Sequence, residues 1–195
     1  TKNSVSRSLR PTIRLIFFAP HWRKEKPGQT SSLPVQLWKS QVRVPEEPRN
    51  RCREMTGSDL PLVTSIEQSV AAYPWTGGNF SDCLKAGYEC WVLEIKGRIA
   101  GYLVMSVSGD EAHLLNLTVE SQQQRLGLGR SLLRKACRGA SQLGASRILL
   151  EVRPSNLAAR CLYEKEGFKE LAVRKDYYSS QGVKEDAFVM ERTLG

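Results

Sequence analysis

From residue 51 onward, apolar and polar positions alternate with two distinct periods. Residues 51–56 alternate as a short strand. Ser58 and Asp59 can then cap a helix that carries Leu62, Val63, Ile66 and Val70 on one stripe, with Pro61 tolerated in its first turn. Residues 91–95 and 98–105 are two apolar runs that flank Lys96-Gly97, the arrangement of a tight hairpin. A third antiparallel strand is predicted over 112–119. After it, Leu132, Leu133, Ala136, Cys137, Ala140 and Leu143 recur at helical spacing until Gly144 stops the helix. Residues 147–152 predict another strand. Arg153-Pro154-Ser155-Asn156 then turns and caps a helix that runs through Glu166 and ends at Gly167, before Phe168. Residues 169–175 and 187–192 supply a closing pair of strands. Strands first, then strand–helix–strand–helix, then a pair describes an α+β fold built on a mixed, mainly antiparallel sheet.

The first 49 residues have no such period. They hold ten Lys/Arg against three acidic residues, so they carry +7 of the chain's formal +9. Prolines 11, 20, 27, 34, 45 and 48 interrupt them, and the apolar run at 14–19 is too short for a bilayer. Residues 1–49 are therefore expected to be a basic, irregular extension; a targeting peptide and a leader translated from an upstream start both fit as well. Residues 50–195 are expected to form one domain, and 41% hydrophobic content is ample for its core. No apolar run approaches the roughly eighteen residues a membrane span needs, so no membrane partner is expected. The leader has too little aromatic interleaving to argue for nucleic-acid binding, and none is expected from the domain. Cysteines 52, 83, 90, 137 and 161 form no Cys-x-x-Cys pair, and only His21 and His113 could join them. An odd, scattered set reads as reduced thiols of a cytoplasmic protein without a metal site.

Candidate chemistry begins where the 112–119 strand hands over to a helix, at Gln124-Arg125-Leu126-Gly127-Leu128-Gly129. Free N–H groups and the positive end of the helix dipole favour an anion there, and glycines allow close approach to the backbone. A phosphate or pyrophosphate cradle is the first expectation. A P-loop is excluded, because no Gly-x4-Gly-Lys-Ser/Thr string occurs. A dinucleotide-binding loop would want a third glycine where Leu132 stands, although Glu151 lies at about the right distance downstream, and on the glycines alone this rival stays open beside a simple helix cap. Glu151 stands inside the apolar run Ile148-Leu149-Leu150-Glu151-Val152, where a carboxylate is costly unless paired or used; the plain alternative is an edge strand with one outward glutamate. On the following helix Asn156, Ala159, Arg160 and Tyr163 share a face, with Asn156 and Tyr163 roughly 10 Å apart along the axis, so a long, thin ligand could run beside them.

Gln124-x-x-Gly127-x-Gly129, Leu150-Glu151-Val152-Arg153, Asn156-x-x-Ala159 and Leu162-Tyr163-x-x-x-Gly167-Phe168 together resemble the GNAT superfamily of N-acetyltransferases. Ile66-Glu67-Gln68, Tyr73-Pro74-Trp75, Asn116-Leu117-x-Val119, Tyr177-Tyr178 and Glu185-Asp186-Ala187 extend the likeness over about residues 50 to 195. They narrow it to the bacterial branch that acetylates the N-terminal alanine of a small-subunit ribosomal protein. The resemblance implies helices on both faces of the sheet and a splay between the strands at 112–119 and 147–153. It implies acetyl-CoA as co-substrate. The diphosphate would lie on the amides of Arg125, Leu126, Gly127, Leu128, Gly129 and Arg130, with charge added by the two arginines. The pantetheine arm would lie along Leu117, Thr118 and Val119, with Asn156 also binding the cofactor. An α-amine, with a pKa of about 7.7–8.0, must lose a proton before it attacks a thioester. The resemblance assigns that proton to Glu151, directly or through water, and a returning proton to Tyr163 as general acid. Burial in an apolar strand would raise the proton affinity of Glu151. Tyr73, Trp75, Tyr177 and Tyr178 correspond to the segments that close over the acceptor terminus.

Thr118 departs from a usual alanine, Glu120-Ser121 from Asp-Pro, and Ser179 from a proline. The last falls on the acceptor side and bears on which protein terminus is taken. Two other readings remain at this point: acetylation of a small-molecule amine on the same fold, and a catalytically silent acyl-CoA-binding module.

Overall fold

The structure, a computed structural model, describes residues 50–180 and 183–195. The expected basic extension, 1–49, lies outside the described residues. Seven strands form one sheet in the order β1-β2-β3-β4-β5-β7-β6, from β1 (Arg51–Glu54), β2 (Glu89–Ile95), β3 (Arg98–Ser108), β4 (Glu111–Val119), β5 (Arg147–Val152), β6 (Lys169–Ser180) and β7 (Val183–Thr193). Every pairing is antiparallel except β4 with β5. The mixed, mainly antiparallel sheet is the architecture the periodicity predicts.

Helices α1 (Leu60–Val70) and α2 (Gly77–Lys85) cover one face, and α3 (Leu128–Gln142) the other, with α4 (Leu157–Lys165) following β5. Each face has its own core. Val63 and Ile66 of α1 and Phe80 of α2 pack with Val92, Tyr102 and Val104. Leu132, Leu133, Ala136 and Ala140 of α3 pack with Leu103, Ala112, Leu114, Ile148 and Leu150, and Tyr163 and Phe168 join them. Burying each of the valine, leucine, isoleucine and phenylalanine side chains contributes about 1.5–3 kcal/mol, which is why the two apolar stripes and the sheet fix one another.

Helix α2 is not predicted from periodicity, because Gly77-Gly78 reads as a turn. Its start is set by a reciprocal cap: the Asn79 amide donates to Thr76 Oγ1 at 3.3 Å, and the Thr76 amide donates to Asn79 Oδ1 at 2.8 Å. Nor does Asp59 cap α1 through its side chain. Its carboxylate turns back to accept from Arg53 at 2.8 Å and from the Thr56 amide at 2.8 Å.

Two irregularities shape the functional face. Strands β4 and β5 pair only from Glu111↔Arg147 to Leu114↔Leu150, while β4 runs on to Val119 and β5 to Val152. Beyond Leu114 and Leu150 the strands part, and the β4 edge from Leu115 to Val119 is left without a strand on that side. At the same point β4 bulges: Met105 pairs with Leu114 and Val104 with Asn116, so Leu115 is the extra residue. A one-residue insertion reverses which face each later side chain meets. Leu117 and Val119 therefore turn to the α3 core, and Asn116 and Thr118 to α1.

Candidate active site

The loop after β4 is tied back to that strand, since Gln124 Nε2 donates to the Val119 carbonyl at 3.0 Å. It then bends through two left-handed residues, Arg125 at φ 62° and Gly127 at φ 80°. Gly127 is the N-cap of α3, and the first helical bond runs from the Ser131 amide to the Gly127 carbonyl at 3.0 Å. The amides of Leu128, Gly129 and Arg130 thus occupy the first turn, where a helix offers donors without internal partners. A Cβ at Gly129 would lie 3.5 Å from Leu162 Cδ2, which places the start of α3 against α4. The Arg130 guanidinium is committed elsewhere: it meets Glu166 at 3.0 Å, and Arg134 grips the same carboxylate at 2.7 Å. These ion pairs fasten α3 to the end of α4. Arg125 has no ion-pair partner among the described residues. Leu126 is exposed.

Glu151 is not in the dry setting its neighbours suggest. Leu150 and Val152 point into the α3 core, and strand alternation sends Glu151 to the opposite face. There it accepts from Arg174 of β6, and Tyr177 also hydrogen-bonds to it. Arg174 reaches it across β7, where its cross-strand partner is the small Ala187. The hydrogen bond to Glu151 holds the Tyr177 phenol above its ordinary pKa. Tyr163 lies in the core on the other side, 9% exposed, its ring 5.8 Å from that of Phe168. Glu151 and Tyr163 therefore flank the β4–β5 splay from opposite faces of the sheet. Asn156 caps α4, accepting from the Ala159 amide at 3.2 Å.

The aromatics expected on the acceptor side are anchored by residues to which sequence patterns assign no role. The Arg153 guanidinium stacks 3.9 Å above the ring of Tyr73 and pairs with Glu185 at 3.2 Å. Glu185 also accepts from the Ser155 amide at 3.0 Å, and Asp186 accepts from Lys175 and from the Asp176 amide, closing a bulge in β6 beside Tyr177. Tyr178 follows in β6, opposite Glu185; its side chain is outside the described part. Trp75 packs 5.3 Å from Phe80, and its amide donates to Glu67 at 3.1 Å. Leu115, the bulge residue, is 41% exposed at the mouth of the splay. Glu67 could have been found: it sits four residues after Val63 and three before Val70, on the apolar stripe of α1.

Residues 52–168 match the Acetyltransferase (GNAT) family. The chain belongs to that family. This acetyltransferase is 37% identical over 141 residues to the [ribosomal protein bS18]-alanine N-acetyltransferase of Escherichia coli K12, covering 72% of this chain and 95% of the relative. The Haemophilus influenzae protein of that name is 34% identical over 138 residues, covering 70% and 94%. Among solved structures, the E. coli ribosomal-protein-S18-alanine N-acetyltransferase matches with a TM-score of 0.70 and 36% identity, over 75% of this chain and 94% of that one. The acetyltransferase uses acetyl-CoA as its acetyl donor. The site suits it: a left-handed glycine cap, first-turn amides and an unpaired strand edge are what an anionic diphosphate and an amide-bearing arm require.

Proposed function

We propose that the chain acetylates the α-amine of an N-terminal alanine, with a small-subunit ribosomal protein as its target, in the cytoplasm where ribosomal proteins are made. The observation that carries this is the splay. It opens between a donor face, with the α3 cradle and Tyr163, and an acceptor face, with Glu151, Tyr177 and the Tyr73–Trp75 loop. The names of the relatives, both alanine N-acetyltransferases acting on a ribosomal protein, support the choice of terminus.

In this reading the amides of residues 125–130 hold the diphosphate, the β4 edge at Leu117, Thr118 and Val119 aligns the pantetheine arm, and Asn156 orders the turn beside it. Acetyl-CoA supplies an activated acetyl thioester. The amine arrives on the Glu151 face as an ammonium and gives up a proton to Glu151, directly or through water, in exchange for the contact Arg174 now makes. Tyr163, on the other face, returns a proton to the departing thiolate. The acceptor role is given to Tyr73, Trp75, Tyr177 and Tyr178, as the resemblance implies; an α-amine needs no channel for a lysine stem. Residues 50–195 make up the working domain.

The test mixes the protein with acetyl-CoA and, in separate reactions, a short alanine-initiated peptide, the same peptide with a blocked terminus and an internal lysine, a polyamine and an aminoglycoside. Mass spectrometry is expected to find one acetyl group on the alanine α-amine alone. Turnover of the polyamine or aminoglycoside with the peptide untouched transfers the function to small amines; acetyl-CoA binding without turnover of any amine makes the protein a binding module.

A further inference from the structure

Glu67 is a carboxylate at 3% exposure on α1, and among the described residues its hydrogen-bond partners are all neutral. Oε1 accepts from the Trp75 amide and from Asn116 Nδ2, each at 3.1 Å. Oε2 accepts from the Tyr102 hydroxyl and from Thr118 Oγ1 at 3.3 Å. Thr118 has one hydroxyl hydrogen and lies 3.1 Å from Asn116 Oδ1 as well, so it shares that hydrogen between Glu67 and Asn116 and makes the network continuous. Burying a carboxylate is costly unless its lone pairs are used, and here four donors from the loop after α1, β3 and β4 use them. Glu67 is thereby held by three separate segments of the chain. Its value is in what it joins.

It joins the loop of Tyr73 and Trp75, on the acceptor side, to the β4 edge, on the donor side. Asn116 and Thr118 stand on β4 past the splay, turned toward α1 by the bulge at Leu115. Trp75 belongs to the loop that carries Tyr73. We infer that Glu67 is a positioning residue for the acceptor: it fixes the Tyr73–Trp75 wall at a set distance from β4, and so determines how tightly a terminus is gripped. This rests on the acetyl-transfer reading of the site. The two ends of the network differ in how far they depend on Glu67. The β4 backbone is held by its register with β3, Tyr102↔Thr118 through Val104↔Asn116, whatever becomes of the carboxylate. The loop has no strand partner, and its links are the Trp75 amide, the Tyr73–Arg153 stack and the Trp75–Phe80 contact. Loss of Glu67 should loosen the wall and leave the donor edge in place. Acceptor and donor parameters should then separate.

The experiment compares wild type with Glu67→Ala, Glu67→Gln and Tyr102→Phe, using the alanine-initiated peptide. Glu67→Ala is expected to raise the peptide KM about tenfold, with kcat and the calorimetric Kd for acetyl-CoA within about twofold. Glu67→Gln should recover most of the grip, because its amide oxygen can still accept from Trp75, and its NH2 can donate to the two hydroxyls. Tyr102→Phe, which removes one of the four donors, should shift KM in the same direction by less and serves if Glu67→Ala does not fold. Amide hydrogen exchange supplies a readout without turnover: the Trp75 amide should exchange faster in Glu67→Ala while the β4 amides keep their protection. An unchanged KM, or a parallel loss of acetyl-CoA affinity and of β4 protection, would overturn the inference by reducing Glu67 to a general stabiliser. Failure of the proposed function shows separately, as a wild-type protein that leaves the peptide unmodified while the exchange result still reports on Glu67.

Discussion

At the residue scale, Glu151 and Tyr163 are recognisable in the chain, but their surroundings are not. A glutamate between Leu150 and Val152 looks desolvated when read along the sequence. The pleat sends those neighbours to the opposite face and delivers Arg174 and Tyr177 from a strand more than twenty residues on. If Glu151 takes a proton and Tyr163 returns one, Glu151→Gln and Tyr163→Phe should each lower kcat by roughly 10²–10⁴-fold with acetyl-CoA affinity nearly unchanged, as measured by steady-state kinetics and calorimetry. Wild-type rates in both variants would remove the assigned roles. Glu67 was visible as a charge on an apolar helical stripe, yet none of its partners is near it in sequence except the Trp75 amide.

At the element scale, two glycines are needed for different reasons. Gly127 sits at φ 80°, and a Cβ added there would meet nothing within 4 Å, so its constraint is conformational and falls on the turn proposed to hold the diphosphate. Gly127→Val should cost about 1–3 kcal/mol of strain and abolish acetyl-CoA binding in calorimetry; retained binding would move the diphosphate away from this turn. Gly101 is different, because its backbone is ordinary but a Cβ there would lie 2.7 Å from the Thr118 carbonyl and 3.3 Å from Leu132. Gly101→Ala should therefore destabilise the fold by about 1–3 kcal/mol in denaturant melts by pushing β4 off β3, and a neutral result would show that the sheet yields at this point. Periodicity found the first glycine, at a strand-to-helix junction. It could not find the second, which matters only because another strand passes close by.

At the scale of the whole fold, four carboxylates among the described residues join segments distant from or adjacent to one another and are held below their ordinary pKa. Arg53 lowers Asp59, Arg134 lowers Glu166, Ser155 lowers Glu185 and Lys175 lowers Asp186. A carboxylate with a folded pKa below its unfolded one adds stability that is complete above the unfolded value, about 3.9–4.3, and is lost as pH falls through the folded value. The melting temperature should accordingly hold steady at neutral pH and drop below about pH 4.5, with Asp59→Asn flattening part of the drop. Thermal melts at stepped pH check this, and an acid-insensitive midpoint would contradict it. Among the described residues, no helix is long and apolar enough to cross a membrane.

The sequence by itself determined the order of the strands and of every helix but α2, the mixed sheet and the glycine turn at the head of α3. Those are local properties: period, caps and turn residues act over a few positions, and a motif is a string. The tertiary structure alone decided that β4 and β5 part after Leu114 and Leu150, that a bulge at Leu115 sends Thr118 to α1 and Leu117 to α3, and that Glu151 and Tyr163 stand on opposite faces of the gap. It also decided that Arg130 serves Glu166 and that Arg174 covers Glu151. Side-chain direction in a sheet depends on register, and register is a relation between strands that no single strand encodes.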